Sequence, residues 1–402
     1  MFKSRRNYVV AAFTVLLAVA SFAAGFLANE VVRLRAGSVR AAEEQQEFAL
    51  FWEAWNWVES SYIGEIPPMQ RITYGAIRGA LGELGDPYTV FVEPPARENE
   101  KDSLRGSFGG IGAHITRNEN GDVILDPIPG NPAANVGIQE GDILLAVDGR
   151  RISDTMTIEE VANLIRGEKG STVRLTILQT GAAEPVDIEV VRGDILLPSV
   201  NYRLLQEAPT IGYIQLSRFS GESSNEIESA LKDLQQQGAR YLILDLRHNG
   251  GGLLDAAIDV ADHFLEDGPI LIQQSRGQEE RLYEASEATV AGDIPLLILV
   301  DGGTASSSEI LAGALQDRQR ALLVGTKTFG KGSVQLVYDL SDGSSVHVTA
   351  SRWLTPNRHQ IDQQGLSPDI PVEISQDAID SGQDVILNRA VDYFQNGMAN
   401  GS

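Results

Sequence analysis

The side chains best suited to chemistry lie in the stretch Leu296 to Leu340. An apolar run ends at Asp301, a Gly-Gly turn follows, and Ser306, Ser307 and Ser308 open a stretch with helical periodicity. A second apolar run, Ala321 to Val324, leads into a glycine-rich loop holding Lys327 and Lys331. A serine where a strand passes into a helix and a lysine in a tight loop are the parts of a Ser-Lys hydrolase. Serine becomes a nucleophile only when a base takes its proton, and backbone N–H groups must receive the oxyanion. Lysine serves as that base only if its pKa falls from about 10.4 towards neutrality, through burial or a neighbouring cation. Phe329, Val334 and Leu336 are the expected apolar cover, and Gln335 is an uncharged group able to hold the amine without stabilising its charge. The residues alone do not choose among the three serines or between the two lysines. They place one oxyanion donor after the nucleophile and the other in the Gly250–Gly252 loop.

Two rival chemistries fit less well. Gly325, Gly330 and Lys331 are spaced as in a phosphate-binding loop, but Gly332 occupies the position of the magnesium-binding hydroxyl. SVQLVYDL then reads as a strand where that loop requires a helix. His248 stands beside the glycine loop and suits a Ser-His-Asp arrangement. The other histidines, His114, His263, His347 and His359, form no metal-spaced pair. No metal and no cofactor is expected.

These groups need elements to position them. With 402 residues the chain should form two or three folded units, and the absence of cysteine excludes disulfides and thiolate chemistry. The net charge is −23, although residues 1–40 are basic, so the body is more acidic still. Such a body repels nucleic acid, which is not expected as a partner. Lys3, Arg5 and Arg6 precede the uncharged run Asn7 to Asn29, long enough for a membrane span of about 20 residues. The expectation is an uncleaved signal anchor, with the membrane as a partner and a single-pass, extracytoplasmic body, periplasmic or within the cell envelope. Small-x-small triplets such as Ala18-Val19-Ala20 leave a cleaved, secreted form open.

Phe48, Phe51, Trp52, Trp55 and Val58 recur at helical steps, giving an aromatic stripe suited to a core or a partner helix. This helical region is a candidate for pairing two copies of the chain. A second helix, about Arg71 to Leu84, stops at Gly85, with Asp86-Pro87 making the break. From Leu104 to Asp194 come short alternating strands, a Pro/Gly loop, the Asp148-Gly149 hairpin signal and a short helix capped by Thr157 and Glu160. After Pro198, strands alternate with helices through IGYIQLSRF, RYLILDLRHNGGG, LLILVD and ALLVG, with helices between. That pattern predicts a layered, partly parallel sheet with active residues at strand ends. SVQLVYDL and SVHVTASRWL should close as a hairpin.

The unit from Leu104 to Asp194 resembles a PDZ domain. In that family a glycine loop receives a peptide's terminal carboxylate, and the peptide adds as a strand. The resemblance assigns that loop to Phe108, Gly109, Gly110, Ile111 and Gly112. Behind it, DLRHNGGG, GTASSSE and TFGKGSVQ resemble, in order, three motifs of the carboxyl-terminal processing proteases, the tail-specific serine peptidases. The resemblance implies Ser306 as nucleophile, Lys331 as base and Gln335 as the group orienting the lysine. It implies oxyanion donors at Gly251 and Ser307. The sequence departs from the family at Thr304, at Ser307 and at Gly250, where the family has proline. Arg166, just past the PDZ helix, is a candidate for coupling that domain to the core. The expected fold class is therefore multi-domain α+β: a membrane-anchor region (1–40), a helical region (41–98), a PDZ domain (99–195), an α/β layered-sheet protease core (196–375) and a C-terminal helix and tail (376–402). The expected function is an extracytoplasmic serine endopeptidase that captures the C-terminal tails of protein substrates. The alternative, a PDZ scaffold whose core only binds tails, would require broken catalytic residues, and none is visible.

Overall fold

The computed structural model of the protein describes residues 46–286 and 289–397. The described residues divide into two units, one ending at Ala76 and the other beginning at Ile77. In the first, residues 46–61 form a helix whose expected stripe is largely solvent-facing: Phe48, Trp52 and Val58 are exposed, and Phe51 and Trp55 are half-buried. The expected membrane anchor is not borne out. Among the described residues no helix is long and apolar enough to cross a membrane. The helix over 46–61 is shorter than the roughly 20 apolar residues of a span and carries Glu47, Glu53 and Glu59. The run Asn7 to Asn29, on which the anchor, the membrane partner and the single-pass location all rested, lies outside the described residues. Fold class, partners and location are corrected to leave the anchor out.

In the second unit, five antiparallel strands follow the spatial order Ala113–Arg117, Val123–Pro127, Asp142–Val147, Thr172–Leu178 and Val186–Val191. Alternation sends Val173, Leu175 and Ile177 inward onto Leu125, Leu144 and Val161. The helix Ile158–Ile165 closes this core with Val161 and Ile165. Its start is held by a capping box, in which Glu160 N–H donates to Thr157 Oγ1 (3.1 Å) and Thr157 N–H donates to Glu160 Oε2 (2.7 Å). The glycine segment Ser107–Gly110 pairs separately with Gly193–Leu196.

The larger core is a six-stranded sheet in the order Val200–Leu205, Ala208–Leu216, Tyr241–Asp245, Leu296–Val300, Ala321–Gly325, Ile370–Pro371. The first pair is antiparallel and the rest are parallel. Every residue of Leu296–Val300 is buried, as expected for a central parallel strand covered on both faces. One face packs on Ile227, Leu231, Ala257, Leu311 and Leu315, the other on Ile386, Ala390 and Phe394. A second sheet pairs Ser333–Asp339 with the long strand Ser345–Leu354, as the hairpin signal predicted. The opposite edge of that long strand takes Val90–Val92 and Pro269–Ser275. A helix not anticipated from the sequence, Pro94–Arg105, follows Val90–Val92 directly.

Candidate active site

Three neighbouring parallel strands deliver three loops to one end of the sheet. Tyr241–Asp245 runs into the Gly250–Gly252 loop, Leu296–Val300 into the serine turn, and Ala321–Gly325 into the lysine loop. This is the carboxyl end of the strands, where open α/β sheets place their ligands. The root of the glycine loop is fixed by Arg247, which donates to Asp245 (2.6 Å) and to Asp384 (2.6 Å) at the C-terminal helix Val385–Asp392.

The serine turn is tied to its neighbours on both sides. Fully buried Thr304 donates through its hydroxyl to Leu246 O (2.9 Å), and its own carbonyl accepts from Phe329 N–H in the lysine loop (3.0 Å). Ala305 N–H and Ser308 Oγ both donate to Asn249 O, at 3.0 and 2.8 Å. Ser307 Oγ donates to Gly252 O (3.0 Å). Two of the three serines therefore spend their hydroxyls on the fold and are buried. Ser306 is only half-buried, and its backbone stands at φ 56°, ψ −119°. A non-glycine residue pays for that left-handed conformation in strain, which persists where surrounding structure over-determines it. The result is a sharp strand-to-helix elbow with the serine at its tip, ahead of the helix Ser307–Asp317.

Glu309, fully buried, links the two halves of the site. Its Oε2 accepts from Ser306 N–H (3.0 Å) and from Lys331 N–H (2.8 Å). Its Oε1 accepts from Gly330 N–H (2.8 Å) and Thr328 Oγ1 (2.5 Å). Burial pushes the Glu309 pKa above the usual glutamate value, and the four donors pull against that rise. All four partners donate, which is the pattern a carboxylate requires.

The structure separates the two lysines. Lys327 is exposed, whereas Lys331 is partly buried and burial holds its pKa below the ordinary lysine value, against an opposing attraction from Glu100. The cover differs from the sequence expectation. Phe329 and Leu336 are exposed, and Val334 packs on the core. The Lys331 Nζ instead stands 5.2 Å from the centroid of the Tyr88 ring. Gln335 sits at an irregularity in strand pairing between Val334 and Gln335, and its amide donates to Ser333 Oγ (2.9 Å). Among the described residues no hydrogen bond joins Gln335 or Ser306 Oγ to the Lys331 amine.

Gly251 lies against the serine turn at φ 103°, and a Cβ there would stand 2.9 Å from Ser306 Cβ and 3.0 Å from Ser307 N. Only glycine fits. Its N–H donates to Asn249 Oδ1 (2.9 Å), so this expected oxyanion donor is engaged within its own loop. The His248 ring is exposed, and its Nδ1 lies 2.9 Å from Asp301 Oδ2. Beside the five-stranded sheet, Phe108, Gly109 and Gly110 are strand-paired, Ile111 is buried in the core, and Gly112 turns the chain. Arg166 lies with its guanidinium 4.8 Å above the Phe108 ring and donates to Asn99 Oδ1 (2.9 Å) on the helix Pro94–Arg105. It thus touches the glycine segment and the linking helix together. Among the described residues no group of acidic, histidine or cysteine side chains is arranged to hold a metal.

Sequence reasoning missed Glu309, Asn249 and Tyr88. For Glu309 a signal existed, since Ser306 and Glu309 have the Ser-x-x-Glu spacing at a helix start.

Comparison with known proteins accords with this geometry. Residues 210–372 match peptidase family S41, and residues 123–179 match a PDZ domain. The chain is 35% identical over 377 residues to a carboxy-terminal-processing protease of Bartonella bacilliformis, covering 92% of this chain and 86% of that protein. It is 39% identical over 387 residues to a carboxyl-terminal-processing protease of Synechocystis, covering 90% of each. Among solved structures, a photosystem II D1 C-terminal processing protease aligns with 34% identity and a TM-score of 0.46, over 81% of this chain and 93% of that one.

Proposed function

The chain belongs to the carboxyl-terminal processing proteases of peptidase family S41, and on that footing we propose that Ser306 is its nucleophile, Lys331 its general base and Gln335 the group that orients the base. It is a serine endopeptidase that recognises C-terminal tails through its PDZ domain. We propose an extracytoplasmic body, a PDZ domain over residues 99–195 and a protease core over 196–375.

The observation that carries the catalytic assignment is the shared carboxylate of Glu309, which receives the backbone N–H of both Ser306 and Lys331. A nucleophile and a base on separate loops are thereby fixed to one anchor. With the lysine neutral, its amine takes the Ser306 proton as Oγ attacks the scissile carbonyl. The Ser307 N–H, at the first turn of its helix, is one donor to the oxyanion. Gly251 N–H is the second once it leaves Asn249. Collapse of the tetrahedral intermediate passes the proton to the leaving amine and leaves an acyl-enzyme. Water activated by the same lysine then releases the acyl group.

Arg166 supports the coupling role, since it bridges the Phe108 ring of the glycine segment and Asn99. In this reading a tail held at Phe108 to Gly112 alters the contacts of Arg166 and hence of the helix Pro94–Arg105. The test is cleavage of an unfolded protein substrate by the wild type, Ser306→Ala and Lys331→Ala. Each variant should lose all measurable proteolysis while its circular dichroism is unchanged. Full activity in either overturns the assignment.

A further inference from the structure

The segment after the second helix, Asp86 to Val92, has no part in the reaction described so far, yet it reaches the base. Asp86 folds the segment on itself: Tyr88 N–H donates to its Oδ1 (3.1 Å) and Thr89 Oγ1 to its Oδ2 (2.6 Å). Thr89 Oγ1 in turn accepts from Thr349 N–H (3.1 Å), and Val90–Val92 pairs antiparallel with Ser345–Leu354. The other edge of that strand carries Ser333–Asp339, which begins two residues after Lys331. Tyr88 and Lys331 are therefore fastened to opposite edges of one strand, and the half-buried Tyr88 ring lies 5.2 Å from the Lys331 amine.

We propose that Tyr88 is a positioning residue for the base: its ring face holds the Lys331 ammonium in a charged, resting arrangement that the amine must leave to reach Ser306. This rests on Lys331 being the base. A cation is drawn to the ring's negative face, and a neutral amine is not, so the contact favours the protonated form. The other groups acting here are Glu100 on the helix Pro94–Arg105, which also attracts the ammonium, and Glu309, bonded to the Lys331 backbone. Glu100 is itself shared with Arg97 Nη1 (2.7 Å) and His347 Nε2 (3.3 Å). Burial, reinforced by Asp362, Glu309 and Asp86, raises the Tyr88 pKa, which keeps the phenol neutral and leaves the ring as the contact.

The experiment is the pH dependence of kcat/KM for peptide cleavage by the full chain, wild type against Tyr88→Phe, Tyr88→Leu and Tyr88→Met. Leucine and methionine keep the apolar cover and remove the ring, whereas alanine would admit water and work in the opposite direction. Activity rises as the base loses its proton. The acid limb of Tyr88→Leu and Tyr88→Met should move to lower pH by about 0.5 to 1.5 units, and that of Tyr88→Phe should stay in place. So that the shift is read even where activity is lost with the ring, the Lys331 amine is also titrated by NMR in Ser306→Ala proteins carrying the same substitutions, with the same shift expected. An unmoved limb and an unmoved titration, with Lys331→Ala inactive, overturn the role of Tyr88 and leave the base intact. Full activity in Lys331→Ala removes both.

Discussion

The serine side of the site and the lysine side are built differently. Around Ser306 nearly every contact is a backbone hydrogen bond or a buried hydroxyl: Thr304, Ala305, Ser307 and Ser308 each bond the neighbouring loops. Around the Lys331 amine there is a ring at 5.2 Å and a carboxylate at a distance, with its backbone alone held tightly. Ser306 is thus held through its main chain, whereas among the described residues no hydrogen bond holds the Lys331 amine. On the roles proposed above, the step from a resting to a working arrangement belongs to Lys331 and to Gln335, whose amide donates to Ser333 Oγ.

The strongest way to break this contrast is to remove the anchor the two sides share. Glu309→Gln presents an amide to donors that need an oxygen, leaving about two buried donors unpaired at roughly 1–3 kcal/mol each. The expected result is a loss of about 2–6 kcal/mol of stability in urea unfolding, with kcat lowered by about 100-fold because both loops shift. Unchanged stability and kcat would show that the two sides are held independently.

A smaller effect tests the looseness of the lysine side. Burial lowers the Lys331 pKa and Glu100 opposes that fall, so Glu100→Gln should lower it further. Activity needs the neutral amine, and the acid limb of kcat/KM should therefore move to lower pH, by about half a unit for a screened charge. A shift to higher pH would contradict the sign.

The smallest effect tests strain on the serine side. Alanine keeps the cost of φ 56° at position 306 and glycine relieves it. Of the two inactive proteins, Ser306→Gly should be the more stable by about 1 kcal/mol in urea unfolding. Equal stability would mean that the elbow is relaxed.

Much of this was legible in the sequence because its signals are local. Alternation marked Thr172–Leu178, the Thr157–Glu160 spacing marked the PDZ helix cap, and the apolar run Leu296–Val300 marked a central strand. The expected cover of Lys331 failed for a different reason. Phe329 and Leu336 are close in sequence but exposed, and the ring beside the amine arrives from Tyr88, through a strand pairing that joins distant segments. The residues read alone left the choice among the three serines open, and only the family resemblance pointed to Ser306, which backbone conformation and hydrogen bonds set apart from Ser307 and Ser308. Arg247 bridging Asp245 and Asp384 spans a separation that no local pattern records.

In the proposed mechanism one serine, activated by one lysine, carries the reaction. It is tested most directly by acylating the full chain with a fluorophosphonate and locating the adduct by mass spectrometry, across pH, in the wild type and in Lys331→Ala. The expected product is a single adduct on Ser306, formed faster as pH rises through the lysine's ionisation and lost in Lys331→Ala. An adduct on Ser307 or Ser308, or labelling of Ser306 at an undiminished rate without Lys331, would contradict it.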